Sequence, residues 1–100
     1  MPTFQTLPRF DQDFKKLGPT EQERFRKVLK EAFIPDVAAG TFRRSLRVKG
    51  VQGAPKVYEM TWDGDGRATW QYGDEQRPGE PHVVWRRIGT HGIFKPPPGP

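Results

Sequence analysis

The chain contains no cysteine, which excludes a disulfide framework and any thiolate metal site. It has no apolar run near the roughly 18 residues that a membrane-spanning helix needs, and its first residues lack the apolar stretch of a secretory signal. Apolar residues are scarce, at 33% of the sequence with a mean hydropathy of −0.84. There is no internal repeat, no His/Asp/Glu group with metal-ligand spacing, no glycine loop shaped to cradle phosphate and no nucleophilic serine. These absences lead to the expectation of a soluble, cytoplasmic protein that needs no cofactor and no metal.

What is present fits one small domain. One hundred residues close a single core and cannot be divided further without losing it. Seven Phe, three Trp and two Tyr supply the large buried area per residue that the aliphatic count does not. The formal charge is +5, and ten of the seventeen Lys and Arg residues are Arg. Because the planar guanidinium fork grips phosphate through two hydrogen bonds, this balance calls for an anionic partner.

Periodicity divides the chain in two. Thr3 to Leu7 alternates weakly, as a short edge strand would, and Phe10, Phe14 and Leu17 then recur at helical spacing up to Gly18-Pro19. Thr20-Glu-Gln-Glu23 reads as a capping box, with Phe25, Val28, Leu29, Ala32 and Phe33 as one apolar stripe. That stripe is expected to stop at Ile34-Pro35, since the residue before proline is pushed out of the α region. From Thr41 the period becomes two. Leu46 and Val48, then Tyr58, Met60 and Trp62, then Ala68, Trp70 and Tyr72 alternate with polar residues. Asp63-Gly-Asp-Gly66 supplies positive-φ positions for a hairpin, Gly73 to Pro81 is a solvated loop, and His82 to Ile88 is the most apolar strand. The expected fold is α+β: an N-terminal helical hairpin packed on one face of a small, mostly antiparallel sheet. The domain is expected to span residues 1–94, with Lys95 to Pro100 as a flexible Pro-rich tail.

If the helices cover the apolar face, the other face collects Arg47, Lys49, Glu59, Thr61, Arg67, Thr69 and Gln71. Arg43 and Arg44 lie beside it, and His91 and Phe94 follow the last strand. Single-stranded RNA suits such a surface, because cations meet phosphates while splayed bases stack on a ring. The plainer alternatives are a solvated face of alternating charges, with Glu59 serving only as the ion-pair partner of Arg67 or Lys49. His82, at a loop edge, reads as a surface histidine and Trp85 as core. The period leaves open whether Arg86 or Arg87 points outward, with a slight lean to Arg87.

The order of these elements, with Gly66-Arg67-Ala-Thr-Trp70 after a turn and a closing segment of Val84, Ile88, Gly89, His91 and Phe94, resembles the RelE/ParE superfamily of bacterial toxins from Phe10 to Phe94. The resemblance implies a toxin of a type II toxin–antitoxin module: a ribosome-dependent mRNA endonuclease that inhibits translation. It implies that Arg67 stabilises the reacting phosphate and that His91 is the general acid. Phe94 stands where members usually carry Tyr, which keeps stacking but removes hydroxyl chemistry. Tyr58 and Glu59 stand where several members carry lysines, which favours either Glu59 as a carboxylate base or weaker activity. The implied reaction is metal-independent attack of a ribose 2′-OH on its own phosphate, with base, acid and cations in place. Arg43, Arg44, Arg47, Lys49, Arg87 and Phe94 would bind RNA, and mRNA on the ribosome and a cognate acidic antitoxin would be the partners. The alternatives are a non-enzymatic gyrase poison of the ParE branch and a basic RNA- or ribosome-binding module without catalysis.

Overall fold

The computed structural model, which describes residues 1–90, has the α+β layering that the periodicities predict. Strand β1 (Thr3–Thr6) leads into α1 (Pro8–Lys16) and α2 (Pro19–Val28), a π turn (Leu29–Phe33) and α3 (Ile34–Ala39). A 3₁₀ turn (Arg44–Leu46) precedes β2 (Lys49–Gly50), β3 (Tyr58–Thr61), β4 (Gly66–Gly73) and β5 (His82–Thr90). The strands form one sheet in the order β1-β5-β4-β3-β2. Only the β1–β5 pair is parallel; the other neighbours are antiparallel.

The helices cover one sheet face through rings. Phe33 packs against Trp85 with ring centroids at 4.8 Å and against Trp70 at 5.2 Å, and Phe25 meets Trp85 edge-on at 5.6 Å. Aromatic pairs of this kind add about 0.5–1.5 kcal/mol each beyond the area they bury. A chain poor in aliphatic residues thus closes its core on a ring cluster that also takes in Phe10, Met60, Ala68, Val83 and Ile88.

Local details depart from the sequence reading, each for a physical reason. The cap of α2 is Gly18 rather than Thr20: Pro19 has no N–H that would need an acceptor and starts the helix, and Glu21 accepts a hydrogen bond from Gly18 N–H at 3.1 Å. The helix does not stop at Ile34-Pro35. Its last turn widens instead, so that Ile34 N–H reaches Leu29 O five residues back, and Pro35 falls in the first turn of α3 where its missing N–H costs nothing. The strand expected from Thr41 is replaced by the 3₁₀ turn, because Arg47 adopts a left-handed conformation (φ 49°, ψ 44°) that breaks the extended run. Only Lys49–Gly50 remains as β2. Neither Gly64 nor Gly66 has positive φ. What requires glycine at 66 is the Trp62 indole, which a Cβ there would meet at 2.5 Å. Tyr72 lies beyond the reach of the helices and is 46% exposed.

Candidate functional site

Pairing register builds the face away from the helices. Lys49 lies opposite Glu59, Glu59 opposite Thr69, and Thr69 opposite Arg87, which makes one row across the four antiparallel strands. The next row on the same face joins Thr61, Arg67 and Gly89. Directly opposed and diagonal residues on one face stand within roughly 4.5–8 Å of each other. Arg67 and Glu59, diagonal neighbours, therefore share one patch.

Among the described residues Glu59 is the only acidic one on a strand, and it is 8% exposed. Its Oε1 lies 3.2 Å from Lys49 Nζ, so of its two expected partners it takes Lys49. Beside it Thr69 is fully buried, and its hydroxyl has no hydrogen-bond partner among the described residues. Such an orphan costs about 1–3 kcal/mol.

Arg67 is held by main chain. Its Nη1 donates to Gly66 O at 3.0 Å and to Gly64 O at 3.3 Å. Among the described residues no carboxylate lies within ion-pair range of Arg67, Arg44 or Arg47. Among the described residues, then, no carboxylate neutralises these three guanidinium groups. Arg43 differs. Its Nε and Nη2 donate to the two carboxylate oxygens of Asp36 at 2.8 and 2.9 Å, and its main-chain N–H donates to Oδ2 at 2.8 Å. The Arg43 side-chain hydrogen bonds, with the main-chain one behind them, hold the Asp36 carboxyl down to about 2.

The ambiguity between Arg86 and Arg87 is resolved by a β-bulge. Trp70 pairs with Trp85 but Thr69 pairs with Arg87, so β5 carries one residue more than β4 at this point. Trp85 and Ile88 can then both face the core, three residues apart, and both arginines leave it. Arg86 Nη1 donates to Gln71 Oε1 at 2.6 Å on the polar face. Arg87 turns to the sheet edge, where its Nε donates to Asp13 Oδ2 at 2.7 Å.

Asp13 is a residue the sequence reading missed. It is 8% exposed on α1 and also accepts the Ile88 N–H at 3.3 Å. The signal was its position. Phe10, Asp13, Phe14 and Leu17 follow i, i+3, i+4, i+7, so a carboxylate lies inside an apolar stripe and must find a buried partner. His82 was also misread as a surface residue. It is 5% exposed, and the parallel pairing of β1 brings Thr3 Oγ1 to its Nδ1 and Gln5 Oε1 to its Nε2, both at 2.7 Å. Of the remaining expected site residues, His91 and Phe94 lie outside the described residues, as does the tail from Lys95.

No family model and no curated protein matches the sequence. Solved structures do match the fold. A copper-bound mutant toxin from Helicobacter pylori superposes with a TM-score of 0.69 at 18% identity, covering 94% of this chain and 99% of that one. The E. coli DinJ-YafQ toxin–antitoxin complex contributes a chain at TM-score 0.66 and 12% identity, covering 93% and 96%. The intact E. coli RelBE toxin–antitoxin complex contributes one at 0.55 and 21%, covering 90% and 96%.

Proposed function

We propose that this chain, which has the fold of the RelE-type toxins, is itself a toxin that cleaves mRNA on the ribosome and is held in check by an acidic antitoxin. The observation that carries the reading is the patch around Arg67: a strand arginine fixed by two main-chain carbonyls, with no carboxylate to neutralise it among the described residues. A fixed, uncompensated guanidinium on an open face suits the extra negative charge of a phosphorane. In the reaction the 2′-OH attacks its neighbouring phosphorus, the P–O5′ bond breaks, and a 2′,3′-cyclic phosphate and a 5′-hydroxyl result. Glu59 takes the 2′-OH proton after exchanging Lys49 for substrate, and His91 returns a proton to the leaving oxygen. Lys49, Arg44, Arg47 and Arg86 guide the phosphates, Arg87 being held by Asp13 instead, and Phe94 stacks on a base.

The Lys49–Glu59 ion pair favours one other reading, RNA or ribosome binding on this face without cleavage. Induction in cells followed by mapping of mRNA 5′ ends separates the two. Cleavage yields new 5′-hydroxyl ends within coding regions that vanish with Arg67→Ala, whereas binding alone slows translation and leaves mRNA intact.

A further inference from the structure

Thr69 is fully buried on β4, and its hydroxyl has no hydrogen-bond partner among the described residues. Threonine differs from valine by that hydroxyl, which in this state only costs stability. An acceptor lies close by. Glu59, itself nearly buried, stands directly across from Thr69 in the β3–β4 register and on the same face.

The ladder fixes how near the two stand. Trp62 N–H donates to Gly66 O, which makes these residues a hydrogen-bonded pair. Such pairs alternate with non-hydrogen-bonded ones along an antiparallel ladder. Met60 and Ala68 are therefore the next hydrogen-bonded pair, and Glu59 with Thr69 is a non-hydrogen-bonded one. The other side of β3 agrees: Val51 N–H donates to Val57 O, and the same alternation turns the main chain of Glu59 towards Lys49 on β2. Non-hydrogen-bonded pairs are the closer kind, with Cα atoms roughly 4.5 Å apart against roughly 5.5 Å. At that spacing a threonine hydroxyl reaches a polar group across the strands. The Glu59 carboxylate is instead turned to Lys49, whose Nζ stands 3.2 Å from Oε1 on a largely exposed side chain. The other charged groups on this face are Arg67, diagonal to Glu59 on β4, and Arg86 and Arg87 on β5; the helices pack on the opposite face. Arg67 is fastened to the Gly64 and Gly66 carbonyls, Arg86 to Gln71 and Arg87 to Asp13.

We infer that the Thr69 hydroxyl is held in reserve for Glu59: when an anion draws Lys49 away, the hydroxyl donates to the carboxylate, which is then not stranded without a partner and keeps a fixed direction for its free oxygen. Thr69 is thus a positioning residue that acts through Glu59. Its part in cleavage rests on the function proposed above, in which Glu59 is the base. The exchange of partners does not rest on it and is measured without RNA.

The test removes the ammonium. In a crystal structure of Lys49→Ala, Thr69 Oγ1 is expected within about 3.2 Å of a Glu59 carboxylate oxygen. Melting temperatures of the parent, Lys49→Ala, Thr69→Val and the double variant give a second readout. In the parent, Thr69→Val deletes an orphan hydroxyl and should not lower the melting temperature. In the Lys49→Ala background it deletes a hydrogen bond to a charged group and should lower the melting temperature by at least about 4 °C, and Thr69→Ser should recover most of that loss. A threonine that merely packs would respond alike in both backgrounds. That result, or a hydroxyl still without a partner in the Lys49→Ala structure, would overturn the inference. Cleavage of ribosome-bound mRNA then separates the inference from the function. A kcat at least about tenfold lower in Thr69→Val, with KM unchanged and activity restored by Thr69→Ser, supports the positioning role, and a Thr69→Val protein as fast as the parent would overturn it. A parent that leaves mRNA intact while the melting temperatures keep their reversal would overturn the nuclease reading and support the exchange of partners.

Discussion

Asp13 and Glu59 are equally buried, each only 8% exposed, yet the regions that hold them differ. Asp13 sits where α1 closes over the β5 edge. Its partner Arg87 is only 17% exposed, and the Ile88 N–H shares the carboxylate. Glu59 sits towards the opposite edge, where β2 is two residues long and its partner Lys49 is 72% exposed. The first ion pair is largely shut off from water, with, among the described residues, only Arg9 at 3.7 Å reaching the carboxylate from the surface, so losing it costs more than losing an exposed pair. In the second, the ammonium can swing into solvent at little cost, so the pair is weak and exchangeable. The ion pair is thus closed off where α1 meets β5 and exchangeable beside β2.

The largest effect expected from this contrast is that of Asp13→Ala. It leaves Arg87 without its carboxylate and should lower stability by about 3–5 kcal/mol, the usual penalty for breaking a buried pair, as read by urea denaturation. A loss under about 1 kcal/mol would erase the difference between the two regions. Neutralising Arg44, Arg47 and Lys49 together tests the open side. Each phosphate contact to a single strand contributes about 0.7 to the slope of log K against log salt, so the triple variant should reduce that slope by about 2. Glu59→Ala should cost less than about 1 kcal/mol, because Lys49 finds water instead.

The smallest expected effect is an acid one at the Asp36–Arg43 pair, which anchors the loop leading to the open side. The carboxyl is lowered from 3.8 to about 2, chiefly by the Arg43 side-chain hydrogen bonds. A lowered folded value means that the contribution is complete above pH 3.8 and is lost as pH falls through about 2. The stability difference between the parent and Arg43→Ala should therefore shrink over that window and stay constant above it. A difference that grew towards acid would reverse the sign of the account.

Much of this architecture is legible in the residues. The helical spacing of Phe10, Phe14 and Phe25 and the alternation of Met60 and Trp70 place the core, since periodicity reports which face is buried. The polar face follows from the same alternation at Glu59, Arg67, Thr69 and Gln71. What escapes is long-range or off-period. The bulge at Arg86 and Arg87 has no composition of its own, so alternation alone cannot show that two successive residues leave the core. His82 looks like a loop residue until β1 lies beside it, a contact made across 79 positions. Pro35 reads as a helix end because the π turn that accommodates it is a matter of packing rather than of propensity. The reversal at Arg47 is hidden for a related reason, since nothing in an arginine announces a left-handed conformation.

The central claim is that the open face performs chemistry with Arg67 as its phosphate-stabilising cation. The direct measurement is cleavage of ribosome-bound mRNA by the purified protein and by Arg67→Ala, with 3′ ends analysed for cyclic phosphate and melting temperatures compared. The account predicts cyclic-phosphate ends from the parent, a rate loss of at least about 100-fold in the variant, and matching melting temperatures. A folded Arg67→Ala protein that cleaves as fast as the parent would contradict it.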